Sequence, residues 1–225
     1  MTISRVTGIL LIVIPIAFNL VFFLLQRYFE YPDILRKPTD YILTRFCAGG
    51  RRLIALWYTF MFMGILFMPV SALAPQVLAS NDVVFVVVAT TAGVLAGLVQ
   101  VLGLIRWPFI VPHLARTYTD RTTSQATRDA IAVVFQAFHR YAGVAIGEHL
   151  GYVFTSLWTV LIAAGLIQSP AFPTWLGWVG LIPALGIFAG VFEEGGFEAA
   201  GAVNAISYVL WSIWLIVTGI FFVTV

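Results

Sequence analysis

Apolar residues run in long unbroken stretches along this chain, and polar residues gather in the gaps between them. A helix needs about 20 mostly apolar residues to cross a hydrocarbon core, since each residue advances it by about 1.5 Å. Six stretches reach that length, at about 6–25, 53–79, 83–105, 143–167, 175–192 and 202–225. In hydrocarbon the backbone must satisfy its own hydrogen bonds, so each stretch is read as a helix. The pattern predicts an all-α polytopic membrane helical bundle with six transmembrane helices and a short interfacial helix, a single integral membrane domain over 1–225.

The first stretch is too long for the apolar region of a signal peptide, and no small-x-small cleavage pattern follows it, so it is read as a retained span. Pro15, Pro69, Pro75 and Pro183 fall inside spans, where each removes a backbone donor and favours a kink. The second span is long enough that a tilt, bend or break near Pro69 or Pro75 is expected.

Between spans one and two, Tyr41, Ile42, Arg45 and Phe46 fall at helical spacing after Lys37-Pro38, with Thr39 or Asp40 suited to the N-cap. This is the short interfacial helix, with Arg45 reaching toward lipid head groups and Gly49-Gly50 ending it. Before span four, Thr122-Thr123-Ser124 precedes a helix expected to start near Ala126 and run unbroken into the span. Trp57, Trp107, Trp175 and Trp178 fall near span ends, where amphipathic rings favour the membrane interface. Trp158, Trp211 and Trp214 lie deeper and are expected to pack inside the bundle or against lipid.

Charge fixes the expected orientation. Eleven of the twelve Lys and Arg residues fall in connections one and three or at the foot of span four; Arg5 is the exception. The positive-inside rule then puts the basic connections in the cytoplasm and both termini outside. Composition narrows the class further: 61% of residues are hydrophobic and 10% charged, which a soluble domain or a disordered chain does not tolerate. A formal charge of +2 is far from the excess of a nucleic-acid binder. The lone cysteine, Cys47, makes neither a disulfide nor a thiolate metal site, and no phosphate loop, Cys-x-x-Cys or His-Glu-x-x-His motif occurs. No cofactor and no metal is indicated; the expected partner is the lipid bilayer, with a lipid or isoprenoid as the candidate ligand.

Ionisable groups inside a membrane are costly and are the first suspects for function. Glu148 and His149 are the candidate catalytic residues, roughly 12–14 Å deeper than Arg140 by helical rise. Helical spacing gathers Tyr141, Tyr152, Thr155 and Thr159 on the face of Glu148, and Tyr141, Tyr152 and Thr155 are the candidate substrate-binding residues. The structural reading of the same stripe, a buried hydrogen-bond network holding helices together, is preferred over a proton relay or general acid. Beside it, Gly143, Gly147 and Gly151 form a small-residue face for close helix packing, as do Gly93 with Gly97 and Gly186 with Gly190. His113 with His139 is the one histidine pair at matched depth, too little for a haem. Glu193, Glu194 and Glu198 form an acidic turn on the basic side, expected to pair with arginines such as Arg106 or Arg116, or to bind a cation.

The run Phe172-Pro173-x-Trp175-Leu176-Gly177-Trp178-x-Gly180 is followed by a Glu-Gly break and a last span with Trp211, Trp214, Leu215 and Gly219. With the opening Arg5-Val6-x-Gly8, it resembles an uncharacterised bacterial multi-pass membrane family, domain of unknown function 4386. The resemblance implies a bacterial inner-membrane helical bundle and supplies no reaction or catalytic residue. The leading expectation for function is a non-enzymatic scaffold, accessory or regulatory membrane protein. The alternatives are an intramembrane enzyme acting on a lipid or isoprenoid with Glu148 as acid or base, and a small transporter or channel.

Overall fold

A computed structural model describes residues 2–79 and 82–225, apart from the side chains of Ala79 and Glu198. The helices are α1 (Ile3–Phe29), α2 (Thr39–Ala79), α3 (Val83–Leu104), α4 (Arg106–Thr119), α5 (Gln125–Phe138), α6 (Gly151–Gln168), α7 (Thr174–Ala189) and α8 (Glu198–Thr224). A π-helical segment, His139–Leu150, joins α5 to α6 without a loop. Six helical rods are long and apolar enough to cross a membrane: Ile3–Phe29, Thr39–Leu78, Val83–Thr119, Gln125–Gln168, Thr174–Phe192 and Ala199–Thr224. The predicted helical membrane bundle is therefore the architecture observed.

Local chemistry sets the helix ends. Thr2 caps α1 by accepting from the Arg5 N–H, Asp82 caps α3 through the Phe85 N–H, and Ser124 caps α5 through the Thr127 N–H. Ser80-Asn81 of the second connection lies outside the described residues. In α2 the non-helical backbone is at Gly50, with φ 54° and ψ −149°, a conformation that favours glycine. Gly49-Gly50 thus ends the interfacial arm as the sequence predicts, and at Pro69 and Pro75 the helix runs on without a break. The arm of α2 before Gly50 is the interfacial helix of the sequence reading, and it starts at Thr39, directly after Pro38.

The spans pack around a closed ring in the order α1, α2, α3, α6, α7, α8 and back to α1. Glycine allows the close crossings. A Cβ on Gly8 would lie 2.6 Å from the Gly219 carbonyl oxygen, and one on Gly103 would lie 2.6 Å from the Gly147 Cα. Gly143, Gly147 and Gly151 do form one face, set against Arg106, Gly103 and Gln100 respectively.

Two buried apolar clusters fill the molecule. One lies inside the ring and includes Leu11, Phe67, Ala96, Trp158, Leu176 and Trp214. The other fills the end of the bundle that carries the basic connections, where α4, α5 and the arm of α2 close over the ring. Phe29, Phe46, Trp57, Trp107 and Phe135 are among its members. Trp57 and Trp107 are fully buried there and stacked at 4.6 Å and 9°. This corrects their expected interfacial role: α4 and the α2 arm cover the positions that would otherwise meet head groups. Trp175 and Trp178 stay exposed, while Trp158 and Trp214 are buried.

Candidate functional site

The candidate residues are distributed by the geometry of the π-helical segment. In an α-helix seven residues complete about two turns, which would stack Tyr141 under Glu148. Hydrogen bonding from i to i+5 turns each residue through a smaller angle, so the two no longer share a face. Tyr141 is 70% exposed and leaves the stripe, a correction to the α-helical reading. Glu148 is half-buried and turned inward, and His149 is exposed beside it. Glu148 and His149 are thus not brought together as an acid–base dyad.

Facing Glu148 is a cation that sequence reasoning placed in a loop. The chain stays helical through Ile105, so Arg106 begins α4 directly below α3 and is only 7% exposed. Its guanidinium packs where a side chain on Gly143 would stand, with one nitrogen 2.5 Å from that Cβ position. It donates to the Gly103 carbonyl and lies 5.2 Å from the Trp107 ring centroid. Its Nε has no partner among the described residues. No hydrogen bond and no ion pair within 4.0 Å reaches the Glu148 carboxylate among the described residues.

Tyrosines surround this pair. Tyr31, in the turn after α1, is half-buried, and its hydroxyl is held protonated well above the ordinary tyrosine range, chiefly by desolvation, with Glu148 adding and Arg106 opposing. Tyr152 and Tyr208 pack with ring centroids 6.0 Å apart, both within Coulombic reach of Glu148. Thr155 is fully buried and accepts from Gln100 Nε2 at 3.1 Å, so it serves the α3–α6 contact. Thr159 accepts from Trp211 Nε1 at 2.8 Å and donates to the Thr155 carbonyl. An apolar crevice of about 40 Å³ between α1, α2 and α8 ends on Gln100 and Tyr208, with room for about one water.

The acidic turn is tied to arginines, but not to the expected ones. Glu193 accepts from Arg36 Nη2 at 2.7 Å, and Glu194 lies 3.7 Å from Arg140 Nη1. These exposed pairs stabilise by at most about 1 kcal/mol each. The Glu198 side chain lies outside the described residues. His113 is exposed on α4, whereas His139 is buried and stacked on Phe135 at 5.8 Å. Among the described residues no three of His, Cys, Asp and Glu stand close enough to share a metal ion.

Arg106, Tyr31, Tyr208 and Gln100 are the members that sequence reasoning missed. Arg106 follows an apolar run without a turn residue between, which was the available signal of a helix continuing past the charge. Tyr31 has no such signal, because its position depends on how the turn after α1 folds.

A closed ring of six membrane-length helices around an apolar interior is the architecture of a multi-pass membrane protein. The chain belongs to the family described as Domain of unknown function (DUF4386), whose match covers residues 6–219. No curated protein and no solved structure matches it.

Proposed function

We propose that this chain is a non-enzymatic scaffold, accessory or regulatory protein of a bacterial inner membrane. The basic end faces the cytoplasm and both termini lie outside, on the strength of the positive-inside rule. One observation carries the functional reading: polar side chains within the bundle bond across helix pairs rather than converge on an open reaction space. Trp158 Nε1 donates to the Ser71 carbonyl, Trp214 Nε1 to the Leu176 carbonyl, Asn204 Nδ2 to the Ile187 carbonyl and Asn19 Nδ2 to Ser212 Oγ. Such bonds hold helices together where hydrocarbon supplies no competing partner. The residues carrying the family resemblance serve the same end. Gly177 abuts the Ala163 carbonyl of α6, and Gly180 receives the Trp214 ring of α8.

A second reading is an intramembrane enzyme acting on a lipid or isoprenoid, with Glu148 as acid or base. It is favoured by a carboxylate inside the bundle with no hydrogen-bond or ion-pair partner among the described residues, on a π-helical segment of a kind that recurs at functional sites. Lipid profiles of cells with and without the protein separate the two. Unchanged profiles are expected. A lipid that accumulates on deletion, and is cleared by the wild-type chain but not by Glu148→Gln, overturns the first reading in favour of the second.

A further inference from the structure

At the basic end, the last turn of α1 and the Gly50 corner of α2 enclose a groove of about 230 Å³. It is lined by Tyr28, Arg45, Ala48 and Gly49 on one part and by Arg52, Leu53 and Leu56 on the other. The two arginines are held in different ways. Arg45 spends its Nε and Nη2 on Glu30, at 3.0 and 2.9 Å, and Glu30 is itself fixed by the Tyr41 hydroxyl at 2.9 Å. Its Nη1 has no acceptor among the described residues. Arg52 Cζ lies over the Tyr28 ring, 4.0 Å from its centroid. A cation held over a ring face spends none of its N–H donors on that contact. No hydrogen bond or carboxylate within 4.0 Å meets them among the described residues.

The groove therefore offers oriented, unspent cationic donors beside an apolar wall of Leu53 and Leu56, at the corner where α2 turns from its outer arm into its crossing half. Free guanidinium donors suit the non-bridging oxygens of a phosphate, and the accessible apolar lining of Ala48 and Leu56 suits the glycerol and first acyl carbons beneath it. A zwitterionic headgroup, with no net negative charge, would leave Arg52 uncompensated, since Glu30 already offsets Arg45. We propose that this groove binds the headgroup of an anionic phospholipid, with its phosphate between Arg45 and Arg52.

The test uses the full chain, purified in a neutral detergent and titrated with phosphatidylglycerol, phosphatidylcholine or inorganic phosphate. Retained lipid is read by native mass spectrometry. Phosphatidylglycerol is expected to be retained more strongly than phosphatidylcholine, and Arg52→Gln to reduce that preference roughly five-fold. Arg52→Lys, which keeps the charge but not the forked guanidinium donors, is expected to recover only part of it. Arg121→Gln, an exposed cation in the α4–α5 turn, is expected to leave the preference unchanged. Equal retention of the two lipids overturns the proposal, as does an equal loss in Arg52→Gln and Arg121→Gln. Full recovery in Arg52→Lys also overturns it, because charge alone would then suffice. Displacement of phosphatidylglycerol by millimolar inorganic phosphate would reassign the groove to a free anion. Unchanged thermal unfolding of Arg52→Gln without lipid confirms that the variant is folded.

Discussion

The two apolar clusters use the same residue, tryptophan, in opposite ways. Inside the ring, Trp158, Trp211 and Trp214 each donate an indole N–H to an acceptor on another helix, at 2.8–3.1 Å. At the basic end, Trp57 and Trp107 lie parallel and fully buried, and neither indole N–H has a partner among the described residues. Phe29, Phe46, Tyr31 and Phe60 surround them with edge and face contacts. The interior of the ring is joined by hydrogen bonds across glycine-lined crossings, whereas the end cluster is joined by ring area. The first arrangement fails when a crossing is widened. The second fails when a ring is removed.

Truncation should therefore expose the end cluster first. Trp107→Ala is expected to cost about 3–5 kcal/mol, the range for deleting a buried aromatic. It should also lower the thermal midpoint in detergent more than any single substitution at the glycine crossings. Enlargement should strike the ring. Gly147→Leu brings a side chain against the Gly103 backbone, and overpacking of this kind costs about 1–3 kcal/mol, occasionally more. The same enlargement at Gly196, where a Cβ meets nothing within 4 Å, should show only the penalty of its positive φ. An equal loss at both glycines would erase the distinction between crossing and turn.

The sharpest comparison is conservative. Trp158→Phe leaves the Ser71 carbonyl without its indole donor and should cost about 1 kcal/mol more than Trp57→Phe, which removes a donor that has no partner. Chemical unfolding of the two variants side by side reads the difference, and equal losses would show that the bond to Ser71 contributes nothing net. The smallest effect concerns the turn beyond the end cluster. Hydrogen bonds from the Thr122 hydroxyl and backbone hold the exposed Asp120 carboxyl below its usual range. Its contribution is present above the ordinary carboxylate pKa and is lost as pH falls through the depressed value. Thr122→Ala should move that titration upward, as followed by carboxyl carbon NMR.

The same contrast explains what could be read from residues alone. Spans were legible because hydrocarbon admits few backbone conformations, and the third was read to end at Ile105, where α3 gives way to α4. The glycine faces were legible too, since small residues four apart stay on one side even through the π-helical segment. Tyr141 was misplaced because nothing local announces a change from i+4 to i+5 hydrogen bonding. Trp57 and Trp107 were read as interfacial because their neighbours along the chain are span ends; what buries them is each other and rings brought from elsewhere, Phe29 of α1, Phe46 of the α2 arm and, on Trp107, Phe135 of α5. Arg106 shows the same limit in reverse. Its charge marked an expected boundary, yet its side chain turns into the bundle because Gly143, in another helix, leaves room for it.

The ring closes where α1 meets α8, through the Gly8–Gly219 crossing, the Ser4 hydroxyl on the Phe222 carbonyl and Asn19 on Ser212. On the ribosome, α1 is made long before α8, so that flank of α1 stays without its partner while the intervening helices insert. Insertion and closure are then separate events in time. The long sequence separation of the contact makes closure the slower one, because the ends must find each other across an already populated membrane.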